Sequence, residues 1–283
     1  MTKIEWAHHT YNPVIGCSEC SPGCDSCYAE QMALRLATMP NAPKEYREIV
    51  DIGNRCWNGE TAWVESAYQR LLKVPGKGKR VFVGSMTDLF HQSVPNSWVD
   101  RILMAVALQP QHTFLVLTKR PERLVAYFDW PYVRAQGITK AMMEMCGGIG
   151  PAEKHLSDKT GRTRPIWPLP NLWLGVTVCN WGELWKVDEL WKAGAALHFV
   201  SYEPALEDIS GELDLDGIDW VIAGAESGPR RRQADVSWFR KLKDQCVQAS
   251  VPFFLKQMHS ERGNVIHSPR LDGQQWLQFP EAK

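Results

Sequence analysis

The sequence predicts an α/β fold built on parallel strands, and three observations carry that expectation. Short apolar runs that read as buried strands alternate with amphipathic stretches that read as helices, about six or seven times along the chain. Its 283 residues, 44% hydrophobic and 23% charged, suffice for one large domain or two small ones with a substantial core. The residues that follow the predicted strands form a recurring set of ionic and amide groups, and parallel α/β folds gather their sites at such strand ends. On pattern alone, an open or partial barrel and a doubly wound sheet both fit. No internal repeat is evident beyond the strand–helix period itself.

Taken in order, residues 11–15 read as a first strand and 29–38 as a helix. A weaker stretch follows, with a helix expected over 61–73 between Asn58-Gly59 and Pro75-Gly76 turns. Val81-Phe82-Val83-Gly84 is a buried strand, and 98–108 is an amphipathic helix with Asn96 or Ser97 as N-cap. Residues 113–117 form a strand, and Pro121 opens a helix that runs to Phe128. Residues 129–171 break the rhythm with several prolines and Gly147-Gly148-Ile149-Gly150, which lack the strand-then-helix setting of a dinucleotide fingerprint. That segment reads as an insertion, a lid or substrate-recognition element. Strands at 172–178, 198–201, 220–224 and 252–255 then alternate with helices at 181–192 and 236–249.

Four of the eight cysteines lie within Gly16–Tyr28. Thiolates this close in sequence read as a metal site, because one loop can wrap them around one ion or cluster. Cys20, Cys24 and Cys27 stand at C-x3-C-x2-C spacing, and Cys17 in place of Cys20 gives C-x6-C-x2-C. Either set supplies three ligands, one short of a closed site, and a cubane held by three cysteines keeps one iron open. Cys56, Cys146, Cys179 and Cys246 are far apart, so no auxiliary cluster is expected; Cys179, at a strand end, is the one to watch. The rival reading is zinc in a nucleic-acid-binding or scaffold module with His8 or His9 as fourth ligand, although zinc sites commonly use two C-x2-C pairs or a Cys/His set. A third is a degenerate iron–sulfur fold without further chemistry.

The cysteine loop resembles that of radical S-adenosyl-L-methionine (SAM) enzymes. More closely, the chain resembles the phage-associated radical-SAM-like family whose members carry a three-Cys motif. The matching pieces are Ile4-Glu5-Trp6, Asn12-Pro13, Gly16-Cys17, Ser21-Pro22-Gly23-Cys24, Cys27-Tyr28-Ala29-Glu30, Ser85 to His91, Leu117 to Arg123, Glu203-Pro204, Glu226-Ser227-Gly228 and Phe254-Leu255-Lys256-Gln257. They span residues 4–257, nearly the whole chain. The resemblance implies one radical SAM domain with a partial (β/α)6 TIM-like barrel and an insertion. It also implies a [4Fe–4S] cluster whose open iron chelates SAM, on Cys17, Cys24 and Cys27. The closer family's pattern aligns its first ligand with Cys17 and leaves Cys20 an extra, whereas the wider superfamily's spacing makes Cys20 the rival.

Roles for the strand-end residues follow from that resemblance and from their chemistry. The loop after the second strand usually accepts hydrogen bonds from the SAM amino group, and Gly84, Ser85, Met86 and Asp88 match it. Lys119, Arg120 or Thr177 suits the SAM carboxylate, and Thr177, Asn180 or Ser201 the ribose. Glu203, Glu226 and Lys256 are left for substrate or proton handling, with ion pairs between adjacent strand ends as the structural alternative. Tyr28 would shield the cluster. The implied reaction cleaves SAM to methionine and a 5′-deoxyadenosyl radical, which takes a hydrogen atom from an unactivated C–H bond. An external electron donor of flavodoxin or ferredoxin type is then a partner. Phage association suggests rearrangement or modification of a nucleobase or nucleobase-linked amino acid in DNA hypermodification, an isomerase or mutase, on a free nucleotide or a flipped base.

Composition bounds these expectations. Lys+Arg and Asp+Glu are both 32, so no global field draws the chain to nucleic acid. Local patches at Arg230-Arg231-Arg232 and Lys77-Gly78-Lys79-Arg80 have a solvated turn as their plainer reading. Most of the 13 tryptophans belong in the core, and some could stack a base. No apolar run spans a membrane and no signal peptide is evident, so a reducing cytoplasm, the bacterial host's for a phage protein, is expected.

Overall fold

The computed structural model describes residues 4–129, 131–146, 168–228 and 230–281. Eight strands form one sheet: β1 His9–Tyr11, β2 Arg80–Val83, β3 Thr113–Thr118, β4 Leu172–Thr177, β5 Leu197–Tyr202, β6 Trp220–Gly224, β7 Phe253–His259 and β8 Val265–His267. Their order across the sheet is their order along the chain. All neighbours pair in parallel except β7 and β8, which form an antiparallel edge hairpin. Monotonic order excludes the doubly wound alternative, in which strand order reverses at a switch point.

The expected partial (β/α)6 barrel is not what forms. The sheet is a curled half-barrel with seven parallel strands and an antiparallel edge, and the described residues hold seven helices that do not follow strands one for one. The connection from β5 to β6, residues 203–219, contains no helix. Asp208 and Asp214 fold their side chains back onto the backbone N–H groups of Ser210 and Asp216, competing locally with helix. The β1-to-β2 connection instead carries the cysteine loop, helices α1 Tyr28–Ala37 and α2 Glu65–Leu71, and small two-stranded ladders.

Packing explains where the site sits. Helices α3 Asn96–Ala107, α4 Pro121–Phe128, α5 Pro131–Cys146, α6 Trp185–Lys192 and α7 Val236–Gln248 follow in the chain. The main core joins sheet residues such as Val83, Val116, Leu174 and Val221 to Ile102, Leu124, Leu190 and Phe239 of those helices. On the other face, an aromatic cluster holds Trp6, Phe82, Trp173, Phe199, Trp220 and Phe254. Trp6, before β1, meets Trp220 of β6 edge-on at 6.4 Å, so the sheet curls far enough for distant strands to share contacts. Every residue of β4 is buried, as for a central strand covered on both faces.

Several local expectations are corrected. The first sheet strand is His9–Tyr11, while Val14–Ile15 pairs separately with Ala62–Trp63. Helix α3 starts at Asn96 without a side-chain cap, because the Asn96 amide oxygen accepts from Arg123 instead (2.5 Å). Residues 181–192 form a 3-10 turn, Trp181–Glu183, then α6. The insertion begins as α5, packed through Ile138 and Met142, whereas Gly147-Gly148-Ile149-Gly150 lie outside the described residues. Strand β7 runs to His259, and β8 answers it, because Lys256 and Met258 are polar or half-buried alternates of a one-sided strand rather than loop residues. Among the described residues, no helix is long and apolar enough to cross a membrane.

Trp220 is fully buried at the centre of the inner aromatic cluster. Trp220→Ala is expected to cost about 3–5 kcal/mol in urea denaturation; a loss below about 1 kcal/mol would show that this cluster does not hold the curl.

Candidate active site

The cysteine loop has almost no secondary structure of its own, and side chains from five places on the sheet seat it. Gly16 N donates to Met86 O (3.0 Å), and Thr87 Oγ1 donates to Gly16 O (2.7 Å). Asn12 Oδ1 accepts from Ser85 Oγ and Met86 N, fixing the turn after β2. Arg120, after β3, donates to Ser18 O and to Ser18 Oγ, each at 2.9 Å, and the same hydroxyl bonds His91 Nε2 (2.8 Å). Ser21 caps the 3-10 turn Pro22–Cys24 by accepting from Gly23 N. A Cβ on Gly23 would lie 2.5 Å from Cys179 Sγ and 3.0 Å from Pro204, so only glycine lets the loop close on β4 and β5.

The fifth anchor is Arg232. Its guanidinium donates to Glu226 Oε1 (2.5 Å) and Oε2 (3.0 Å), to Pro22 O (2.8 Å) and to Asp25 Oδ2 (3.1 Å). It thus latches the loop to the end of β6. The sequence reading of the three arginines as a solvated or DNA-facing patch misses this, because the partner lies 207 residues away. Arg231 likewise donates to Gly263 O and Gly228 O. In the other basic patch, Arg80 donates to Trp6 O and covers the Phe279 ring at 3.7 Å.

Loop and strand ends enclose a cavity of about 460 Å³, within the range of small-molecule sites. Cys17, Cys20, Cys24, Cys27, Tyr28, Gly84, Ser85, Asp88, Lys119, Thr177, Ser201, Glu203, Glu226 and Lys256 all line it. Three sequence-predicted residues do not. Met86 is buried in the core beneath the loop, Arg120 is spent on Ser18, and Asn180 precedes the Trp181–Glu183 turn. Neither His8 nor His9 lines the cavity; His8 Nδ1 accepts from Arg80 N. Tyr28 stands at the rim, 54% exposed, with its hydroxyl donating to Ser85 O (2.8 Å). Glu5, Trp6 and His267 also line the cavity and were not singled out as site residues by the sequence.

The thiols differ in environment. Burial pushes the Cys17 thiol up to about 11, and burial also raises Cys27. A hydrogen bond from the Cys20 thiol lowers Cys24 against the effect of burial, and Lys119 adds to this. Burial opposes the Lys119 ammonium, yet the sulfurs of Cys179, Cys24 and Cys27 and the Asp88 carboxylate hold its pKa above the usual lysine range. Among the described residues, Lys119 Nζ has no hydrogen-bond acceptor, whereas its backbone N–H donates to Asp88. Cys179 is fully buried behind the loop, its thiol pushed up to about 12 by burial, and it does not line the cavity. No three His, Cys, Asp or Glu side chains among the described residues converge on one metal-ion position.

The carboxylates fall into two kinds. Asp88 accepts from Phe90 N, Thr118 Oγ1 and Lys119 N, so it ties the ends of β2 and β3 together. Glu226, 4% exposed, takes three donors from Arg232. Burial alone would raise its carboxyl, and Arg232 more than offsets that, holding it below the usual range. Glu203 pairs with Lys256 Nζ (2.7 Å) and accepts a longer bond from Ser201 Oγ (3.3 Å). The Glu203–Lys256 ion pair therefore reaches from the end of β5 across β6 to β7, rather than joining adjacent strand ends, and both residues still face the cavity.

Fold and site together define an α/β protein with a cysteine-lined cavity at the carboxyl ends of a parallel sheet. The chain belongs to the DUF5131 family, described as a protein of unknown function, which matches residues 1–280. No curated protein and no solved structure matches it.

Removing the latch tests its electrostatics. Arg232→Gln is expected to cost about 1–3 kcal/mol by leaving the Glu226 carboxylate poorly partnered. Because the folded-state pKa of Glu226 is depressed, the pair stabilises fully above the unfolded carboxyl value of about 4.3 and is lost as pH falls through the folded one. Acid denaturation of Arg232→Gln should accordingly be shallower below about pH 4 than that of the unmodified chain. Parallel acid limbs would show that the latch does not couple to stability.

Proposed function

We propose that this protein is a radical SAM enzyme that holds a [4Fe–4S] cluster on Cys17, Cys24 and Cys27 and SAM beside it. The observation that carries the reading is the meeting of those three cysteines with the Lys119 side chain in one cavity at the strand ends. The donor set fits the group. Three thiols line the one cavity, and a cubane takes one thiolate on each of three irons. Lys119 supplies a half-buried positive charge that acts on Cys24 and Cys27, which favours thiolates over thiols. The reading does not depend on the partial (β/α)6 barrel, since function resides in the site rather than the fold.

When bound, the cluster and SAM supply reductive cleavage of SAM and hydrogen-atom abstraction from the substrate. The chain's own residues bind and orient. Lys119 offers the ammonium that a SAM carboxylate needs, and the Asp88 bonds keep its backbone in place. Thr177 lines the cavity and its hydroxyl suits a ribose; Gly84 and Ser85 line the same cavity and would meet the SAM amino group. Glu203, Lys256 and Glu226 remain for substrate. The substrate proposed is a nucleobase or nucleobase-linked amino acid in phage-type DNA hypermodification, rearranged or otherwise modified; family resemblance supports it. The setting proposed is a reducing cytoplasm, with a flavodoxin- or ferredoxin-type electron donor.

Anaerobic reconstitution with iron and sulfide, followed by SAM and dithionite, is expected to yield 5′-deoxyadenosine. Cys17→Ala should abolish the cluster absorbance and Cys20→Ala should leave it. The reverse pair of results would move the first ligand to Cys20. Tight zinc, or a cluster that leaves SAM intact, would overturn the enzyme reading.

A further inference from the structure

The cavity has a second pole, opposite in charge to the one at Lys119. Glu5 comes from the segment before β1, His267 from β8, Lys256 from β7 and Glu203 from the end of β5, and all four line the same cavity. His267 Nδ1 lies 2.8 Å from Glu5 Oε1, a contact between residues 262 positions apart that ties the two edges of the open sheet. Lys256 donates to Glu203 Oε1 (2.7 Å), and the Glu5 carboxylate also acts on its charge. Lys256 is thus engaged by Glu203, and Glu5 by His267.

Hydrogen-bonding capacity is unspent on this wall. The Asp88 and Glu226 carboxylates each accept from three protein donors. Glu5 Oε2 is buried and has no partner among the described residues, and Glu203 Oε2 has only the 3.3 Å bond from Ser201. Trp6, 2% exposed and lining the same cavity, leaves its indole N–H unpartnered as well. A Cβ at Gly224 would come within 2.6 Å of Glu203 Oε1, so the glycine keeps the space the carboxylate occupies. A buried carboxylate oxygen without a donor is costly, and a cationic donor relieves both the missing bond and the excess negative charge.

We propose that Glu5 and Glu203 form a subsite for a protonated primary amine, so that the substrate of this cavity carries an ammonium group at the end away from Lys119. A carboxylate in that place would meet two like charges, and the one lysine there is already engaged. This inference rests on the cavity being the substrate site of the proposed enzyme.

Saturation-transfer NMR on the full chain, purified anaerobically, tests it with butylammonium, butanol and butyrate as probes. Saturable binding of butylammonium is expected, with neither butanol nor butyrate competing at equal concentration. Glu5→Gln, which leaves the Lys256–Glu203 pair intact, should weaken butylammonium about tenfold, as should Glu203→Gln with unchanged circular dichroism. Butanol binding as well as butylammonium, preferred binding of butyrate, or undiminished binding to Glu5→Gln would each overturn the amine subsite. The measurement needs neither cluster nor SAM, so its failure and a failure of SAM cleavage are distinguishable.

Discussion

A parallel sheet wound in one direction has to curl, because each strand twists against the last, and everything at this site depends on that curl. Strand order follows chain order without reversal, so successive connections build on one another and the strand ends turn toward a common axis. The inner face is then too narrow for helices and is filled by aromatic rings, Trp220 touching Trp6, Trp173, Phe199 and Phe254. Trp6 and Phe82 of this cluster also line the cavity. Above them the same strands end in polar residues, and the cysteine loop covers what remains.

Seating an irregular loop requires that its backbone groups find partners elsewhere. The chain meets this with side chains from separate strand ends: Thr87 after β2, Arg120 after β3 and Arg232 after β6. Because each anchor belongs to a different strand, the loop reports on the curl of the whole sheet. Close approach matters as much as bonding. Gly23 against Cys179 admits no side chain, and the pair brings the Cys24 turn over the ends of β4 and β5.

Much of this is legible in the sequence, for identifiable reasons. Strand β6 and helix α4 match their expected bounds because apolar runs and the Pro121 start signal are local. Fourteen of the seventeen expected site residues line one cavity, since strand ends of a parallel sheet converge whatever the barrel's exact form. The failures are of another kind. Helix α5 opens at a proline and carries Gly137, so its local signals look like a break; packing through Ile138 and Met142 overrides them. Arg232, Glu5 and His267 act through partners 207 and 262 residues distant, and no local pattern marks such pairs. The predicted (β/α)6 count fails where turn-forming aspartates replace a helix between β5 and β6.

The distribution of charge orders the two halves of the cavity. Among the described residues Lys119 has no acceptor for its ammonium, so the thiol half offers a cation. On the opposite wall Glu5 Oε2 has no donor among the described residues and Glu203 Oε2 has only the long bond from Ser201. A single uncharged ligand would leave both poles unsatisfied, and in a partly enclosed site that cost is large. Two occupants, one anionic near the cysteines and one cationic near Glu5, would neutralise the poles separately. Each would also lower the cost of the other, since every pole filled leaves less unbalanced charge in the cavity. Binding in the two halves should therefore be cooperative, with reciprocal coupling between them.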